Sequence, residues 1–281
     1  MTKKSHTLTI LLLLFPGVGY IELMLSSALI MTILQSMGLF NFTGESQFGF
    51  QEWRQVINQQ TWDAFAYSSK IAFTSSLMCM VLAYPLALYL RRDFLFKKIF
   101  NAVIRMPLFM PALVAAFLIL NVIAYHGIFN EFLIRLGLIR EPLRLTHDDW
   151  GLGVVGIQIW KNLPFQTLIV TSVLSSIQSD LENAAKNLGA GPWQVFRDIL
   201  FPLSIPGIVT GVVLVFIGIF GDYAINTVAG PRYPPSLAIR MYANARIFND
   251  WGQAACLALI IILSSMIYAW IITRVARLVT S

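Results

Sequence analysis

Long apolar stretches separated by short polar segments run along the chain. Six of them are long enough to cross a bilayer as a helix, which needs about 20 mainly apolar residues. They cover residues 8–35, 63–90, 103–124, 151–177, 203–222 and 253–273. The pattern predicts an all-α, polytopic membrane protein with six transmembrane helices. The first stretch is too long for a typical signal peptide and lacks a small-residue cleavage site, so we interpret it as an uncleaved helix.

Composition supports a membrane protein. The 281 residues are 57% hydrophobic and only 12% charged, whereas soluble domains have about 25% charged residues. Both cysteines, Cys79 and Cys256, lie in apolar stretches and are expected to be packing residues, and the three histidines have no metal-ligand spacing. We therefore expect no metal, no cofactor and no nucleic-acid partner.

The Lys and Arg residues predict the orientation of the helices. With a cytoplasmic N-terminus, the inner segments hold eleven Lys and Arg against four acids, and the rest of the chain holds nine against ten. Because basic residues concentrate on the cytoplasmic side, both termini are predicted to be cytoplasmic. The outer loops are then 36–62, 125–150 and 223–252. This organisation divides the chain into an N-terminal helix with its outer loop (1–62) and a five-helix core (63–281).

The second outer loop contains a short amphipathic pattern. Its apolar residues share one helical face: Ile128, Phe129, Phe132, Leu133 and Leu136. Gly137 follows as a plausible helix end. The spacing predicts a helix that lies on the membrane surface or caps the bundle.

The inner loop 179–202 has the most informative pattern. Apolar residues recur at helical spacing (Leu181, Ala184, Ala185 and Leu188). Ser179 and Glu182 have the spacing of a capping box, and Pro192 suits the first turn of a second helix after the break at Gly189. The pattern predicts a helix–turn–helix on the cytoplasmic face. Its apolar stripe either packs on its own bundle or binds another protein.

This loop resembles the E-A-A-x3-G-x9-I-x-L-P motif of permeases in binding-protein-dependent ABC importers. The matching positions keep the motif's spacing: Asn183, Ala184, Ala185, Gly189, Ile199 and Pro202. Two positions depart from the motif. Asn183 replaces the usual Glu, with an acid displaced to Glu182, and Phe201 replaces the usual Leu. Docking at this loop then rests on shape and backbone contacts, or the partner differs to match.

The resemblance implies a MetI-like permease subunit of the bacterial inner membrane, with no catalytic site of its own. It implies that these six residues and Glu182 couple the chain to two separate ATPase subunits. It also implies a second permease, identical or homologous, and a solute-binding protein that delivers a small polar solute. The stretches at 127–138, at Gly221-Asp222 and at 229–231 resemble the spermidine/putrescine, iron(III), opine and aminophosphonate branch.

Charged residues at membrane depth are costly and suggest function. Lys161, Asp222 and Glu22 are the candidates, and they either line the translocation path or pair with each other or with a partner. A lone Lys161 in the path would suit an anionic or zwitterionic solute. A different set, Gly207, Gly211 and Gly218, is expected to support close helix packing or a seam with a second permease.

Two other classes of protein compete with an ATP-driven importer. A secondary transporter driven by an ion gradient often has inverted repeats, and no clear repeat is found. A membrane-embedded enzyme would need clustered His, Asp or Glu, whereas the acids here are few and dispersed. The chain also has no G-x4-G-K-[ST] phosphate loop, so ATP hydrolysis is assigned to a separate chain.

Overall fold

The computed structural model describes residues 13–42 and 47–280. Residues 8–12 of the first predicted span therefore lie outside the described residues. The helices of the described chain are α1 (Phe15–Ser36), α2 (Gln51–Val56), α3 (Gln59–Arg91), α4 (Lys97–Arg105), α5 (Ala112–Ile123), α6 (Ile128–Arg135), α7 (Leu152–Ser176), α8 (Ser179–Asn187), α9 (Pro192–Phe220), α10 (Ala224–Ala229), α11 (Leu237–Arg246) and α12 (Trp251–Thr280).

The chain is all-helical in its described part, as the sequence predicts. By length and composition, five segments are apolar enough to cross a membrane: Phe15–Ser36, Gln59–Arg91, Ala112–Arg135, Pro192–Phe220 and Trp251–Leu278. Helix α7 has 25 residues, but polar residues in its middle, including Lys161 and Asn162, lower its hydropathy below that of the five.

The continuous span predicted over 103–124 is wrong, because the helix is interrupted there. Helix α4 ends at Arg105, a 3-10 turn follows over Met106–Phe109, and Met110 is extended before α5 begins. The cause is local: Pro107 and Pro111 lack N–H donors, and a proline disfavours helical backbone in the residue before it. The short helix predicted around 128–136 is confirmed as α6, which ends at Arg135. Gly137 follows with a φ of +69°.

The described residues form two compact units, one from residues up to 59 with 240–260 and one from 60–239 with 261 onward. In the first unit, the buried Cys256 thiol donates to the carbonyl oxygen of Ser36 over 3.7 Å. The second unit holds the inner-loop helices α8 and α9. The predicted boundary at residue 62 lies near the division at 59, while residues 240–260, assigned by sequence to the core, group with the first unit.

The inner part of the second unit is a core of apolar side chains from α3, α7 and α9. Its buried members are Met80, Tyr84, Ala87, Val170, Leu174, Ile177, Val195 and Leu200. Among them the Tyr84 hydroxyl lies 2.9 Å from the Ser204 hydroxyl, so two helices distant in sequence share a buried hydrogen bond. Residues of the inner loop, including Ala185 and Phe196, pack against this core.

Candidate functional site

Helix α8 ends in a tight turn that depends on Gly189. The Gly189 N–H donates to the Lys186 carbonyl over 2.9 Å, and the Ala190 N–H donates to the Ala185 carbonyl over 3.0 Å. These two bonds form a Schellman motif, which needs a left-handed residue after the helix. Gly189 supplies it with a φ of +89°. The glycine of the motif is therefore required by backbone geometry at this position.

Helix α9 begins immediately after this turn and is anchored in the inner core. Pro192 occupies its first turn, and the Gln194 side chain accepts the Gly191 N–H over 2.8 Å. Val195 and Leu200 are buried in the inner core. The first turns of α9 are thus fixed at their start by a cap and along one side by apolar packing.

An ion pair ties α8 to the end of α3. A guanidinium nitrogen of Arg91 lies 2.5 Å from a carboxylate oxygen of Glu182, and the two side chains are 22% and 17% exposed. Arg91 also donates to the Ile177 carbonyl over 3.3 Å. The predicted capping box of Ser179 and Glu182 is wrong: Gln178 is the N-cap residue, without a side-chain bond. Glu182 instead meets Arg91, a partner that sequence spacing does not indicate.

The apolar stripe predicted on α8 divides between two environments. Ala185 is half-buried and packs on the inner core. Leu188 is 89% exposed and Leu181 46%, and Trp193 at the start of α9 is 68% exposed. Asn183 and Ala184 are exposed on the same helix. We call Leu181, Ala184, Leu188 and Trp193 the inner apolar surface.

The last two positions of the motif lie farther along α9. Ile199 is half-buried, and Pro202 is exposed. Pro202 lines a groove of about 520 Å³ with Pro206 and Thr210 of the same helix and Thr273 of α12. These two residues therefore belong to the base of the fifth predicted span and not to the inner apolar surface.

The three charged candidates at membrane depth have separate surroundings. The Lys161 ammonium donates to the Pro107 carbonyl over 2.7 Å, at the interruption between α4 and α5. The Asp222 carboxylate accepts the N–H groups of Ile225 and Asn226, in the first turn of α10. Glu22 is exposed on α1. Within the described residues, no ion pair joins Lys161, Asp222 and Glu22.

The three packing glycines also differ from one another. A methyl group on Gly207 would overlap Val173 of α7, and one on Gly211 would meet the amide of Gln166. Gly218 has nothing within 4 Å of the corresponding position. Gly207 and Gly211 are therefore at a close approach of α7 and α9, while Gly218 faces open space within this chain.

One residue that holds the outer loop was missed in the sequence. Asn130 is fully buried, and its amide donates to the carbonyls of Ala124, Tyr125 and Leu143. Its side-chain oxygen accepts the Leu143 N–H over 2.9 Å. Asn130 is followed by Glu131 and lies outside the apolar face of the predicted helix, so nothing in the sequence pattern set it apart.

Proteins with similar sequences are inner-membrane components of transport systems. The family model described as "Binding-protein-dependent transport system inner membrane component" matches residues 79–281. The spermidine/putrescine permease PotB of Escherichia coli is 25% identical, over 79% of this chain and 82% of its own length. The permease YdcU of Escherichia coli is 29% identical over 79% and 74%. The molybdenum permease ModB of Haemophilus influenzae is 27% identical over 76% and 94%.

Solved structures share the fold. A bacterial alginate ABC transporter, in complex with an alginate-bound periplasmic protein, has a chain that aligns with a TM-score of 0.79 at 16% identity, over 99% of this chain and 96% of that one. The MetNI methionine ABC transporter aligns with a TM-score of 0.51 at 16% identity, over 82% and 97%. The protein is therefore an inner-membrane permease subunit of an ABC importer, and it belongs to the family of binding-protein-dependent transport system inner membrane components.

Proposed function

We propose that residues 179–202 are the surface through which this permease binds its ATPase and follows its movement. The observation that carries the proposal is an exposed apolar surface on a fixed frame. Leu188 and Trp193 are exposed, while Arg91 and the inner core hold the helices beneath them. Exposed apolar side chains clustered at one place are typical of a protein interface. Glu182, Asn183, Ala184, Ala185, Gly189, Ile199 and Pro202 are the proposed coupling residues.

The departure at Asn183 fits this surface. The acid next to it, Glu182, is occupied by Arg91 within the chain, and Asn183 itself is exposed and neutral. Docking then depends on apolar contact and shape, since the charge usual at this point of the motif is absent. We expect a partner ATPase with an apolar cleft to match.

We propose six spans, with α7 as the fourth, and cytoplasmic termini. The distribution of charged residues along helix α3 supports this placement in the membrane. Residues 71–90 contain no charge and extend about 30 Å at 1.5 Å per residue, which is the thickness of the hydrocarbon core. At one end Lys70 lies 4.6 Å from the centre of the Trp150 ring, a pair suited to an interface. At the other end the basic Arg91-Arg92 pair favours the cytoplasm.

The proposed assembly has two ATPase subunits, a second permease and a solute-binding protein above the outer loops. In this proposal residues 1–62 form an N-terminal transmembrane helix and outer loop, and residues 63–281 form the permease core. Gly207 and Gly211 pack α9 on α7 within the chain. Gly218, with open space around it, is the glycine available for a second permease.

The solute is proposed to be small and polar, of the polyamine, aminophosphonate, opine or iron class. Lys161 is the proposed path residue, because it is half-exposed at mid-helix and donates to the Pro107 carbonyl without an ion-pair partner among the described residues. A cation in the path favours the anionic or zwitterionic members of this set over a polyamine cation. Asp222 and Glu22 have weaker support, since Asp222 caps α10 and Glu22 is exposed on α1. Uptake by Lys161→Ala tests the assignment, and unchanged kinetics would exclude it.

Purification from native membranes in mild detergent tests the docking surface. We expect wild type to retain an ATPase subunit and Leu188→Asp to lose it at least about tenfold, because a desolvated contact near the centre of an interface contributes strongly. Leu138→Asp is the control, at an exposed leucine (67%) after α6. Equal retention by Leu188→Asp and wild type would contradict the proposal. Substitutions at Ala185 or Gly189 are less suitable, since these residues pack the core and hold the turn.

A further inference from the structure

Helix α4 presents an apolar side that nothing in the described chain covers. No residue of this helix is buried. Residues on one side of it are exposed and apolar: Leu95 just before the helix, Ile99, Val103 and Met106. At 100° per residue, Lys98 and Arg105 lie on one flank of this apolar side, and Asn101 lies opposite it. The segment is amphipathic, and its apolar side is the one left open, since Asn101 and Ile104 on the other side are half-buried.

The polar side of α4 is strongly basic. Residues 91–105 contain five Lys or Arg and one acid, Asp93. Asp93 lies 3.1 Å from Lys97, and Arg91 is paired with Glu182. Within residues 13–42 and 47–280, the other three bases, Arg92, Lys98 and Arg105, form no ion pair. The segment therefore carries a positive charge that its own chain does not neutralise.

The position of α4 along the chain brings it to the membrane surface. The uncharged part of α3 ends at Arg91, and α4 begins six residues later at Lys97. Helix α5 re-enters the apolar region only after the interruption at Pro107 and Pro111. A short helix with an apolar face and a basic face at this depth is suited to lie in the plane of the headgroups.

We propose that α4 binds acidic phospholipids of the cytoplasmic leaflet. Arg92, Lys98 and Arg105 contact the phosphate groups, and Ile99 and Val103 enter the acyl-chain boundary. Charge complementarity selects this partner, because each Lys or Arg near an anionic leaflet favours binding. The leaflet assignment rests on the proposed orientation.

A fluorescent label at V103C in the full chain, reconstituted in nanodiscs, tests the proposal. Cys79 and Cys256 are fully buried, so a maleimide probe reaches the introduced position. Quenching by doxyl-labelled phosphatidylglycerol is expected to exceed quenching by doxyl-labelled phosphatidylcholine. Removing charge in K98Q/R105Q lowers this preference about fivefold for each charge. The matched control is F132C on α6, where one acid and one base balance and no preference is expected.

Three results would overturn the proposal. Equal quenching by the two lipids at V103C does so without a further variant. An unchanged preference in K98Q/R105Q does so if that variant elutes as wild type in size exclusion. Protection of V103C from both lipids assigns this side to a protein partner instead.

The orientation and the docking surface are tested separately from lipid binding. An impermeant thiol reagent in sealed vesicles should reach K98C, at an exposed position on the basic flank of α4, only from the cytoplasmic side. Reaction from the outside contradicts the topology while leaving acidic-lipid binding to be judged by the quenching. ATPase retention by K98Q/R105Q is expected to equal that of wild type, so loss of ATPase and loss of lipid preference are distinguishable.

Discussion

The inner segment 179–202 and the outer segment 125–150 are both short and helical, yet they are held in different ways. The outer segment is closed around Asn130, whose bonds reach no farther than 13 residues along the chain, while its end is tied to a distant part of the chain, where the His147 N–H donates to the Ala229 carbonyl. The inner segment is held by Arg91 of α3, whose bond to Ile177 joins residues 86 positions apart. The part of the outer segment around Asn130 is therefore fixed by contacts that are local in the chain. The inner segment is therefore fixed to helix α3, as its proposed coupling role requires.

Asn130→Leu breaks the outer side of this comparison and should have the largest effect. Several buried backbone groups lose their partner, and each unsatisfied group costs about 1–3 kcal/mol. We expect a loss of at least about 3 kcal/mol in the local stability of the outer loop, measured as faster proteolysis between residues 136 and 146. Asn121→Leu is the control, because the Asn121 amide is exposed and donates only to Phe117. Equal protease resistance of both variants would contradict the role of Asn130.

Arg91→Ala breaks the inner side. It removes a charge-assisted contact worth about 2 kcal/mol and leaves Glu182 largely covered without its partner. Uptake is expected to fall at least about tenfold while the chain still inserts in the membrane. Lys97→Ala removes the more exposed pair with Asp93, which contributes less than about 1 kcal/mol, and serves as the control. If both variants transport equally well, the Arg91–Glu182 pair does not hold the coupling segment.

Gly207→Ala and Gly218→Ala sharpen the comparison by changing the frame beneath the inner segment. A methyl group at Gly207 overlaps Val173, and overpacking of this kind costs about 1–3 kcal/mol. The same change at Gly218 meets nothing within 4 Å. We expect Gly207→Ala to lower the Tm in detergent and Gly218→Ala to leave it unchanged. The reverse order would mean that α7 and α9 do not approach at Gly207.

Glu52→Gln should have the smallest effect and concerns the first outer loop. Burial, and then the charge of Asp250, raise the pKa of the Glu52 carboxyl. A carboxyl with a raised pKa in the folded state stabilises the fold below its unfolded pKa, and this contribution is lost as pH rises through the folded pKa. We therefore expect Glu52→Gln to raise the Tm slightly at neutral pH but not below pH 4.5. Glu141→Gln, at an exposed position, is the control, and an equal gain there would contradict the explanation.

The predictions from sequence were accurate where a local pattern decides the structure. Helices α6 and α8 and the start of α9 follow apolar spacing together with Gly137, Gly189 and Pro192, whose backbone preferences act within a few residues. The predicted span 103–124 was wrong because hydropathy does not record the missing N–H groups of Pro107 and Pro111. The capping box was wrong because Glu182 has a stronger partner in Arg91, which is close only after folding.

The sequence by itself determined that this chain is a helical membrane permease with a helix pair of fixed spacing in segment 179–202. Apolar periodicity, the concentration of Lys and Arg in alternate loops, and the spacing of a motif are all properties of the linear chain. Only the tertiary structure decided which residues of that pair are exposed and which are anchored. It assigned Ala185 to the core and left Leu188 exposed, and it connected Glu182 to Arg91 and Asn130 to Leu143. These contacts join residues far apart or on separate turns of the chain, so they depend on packing that no local pattern encodes.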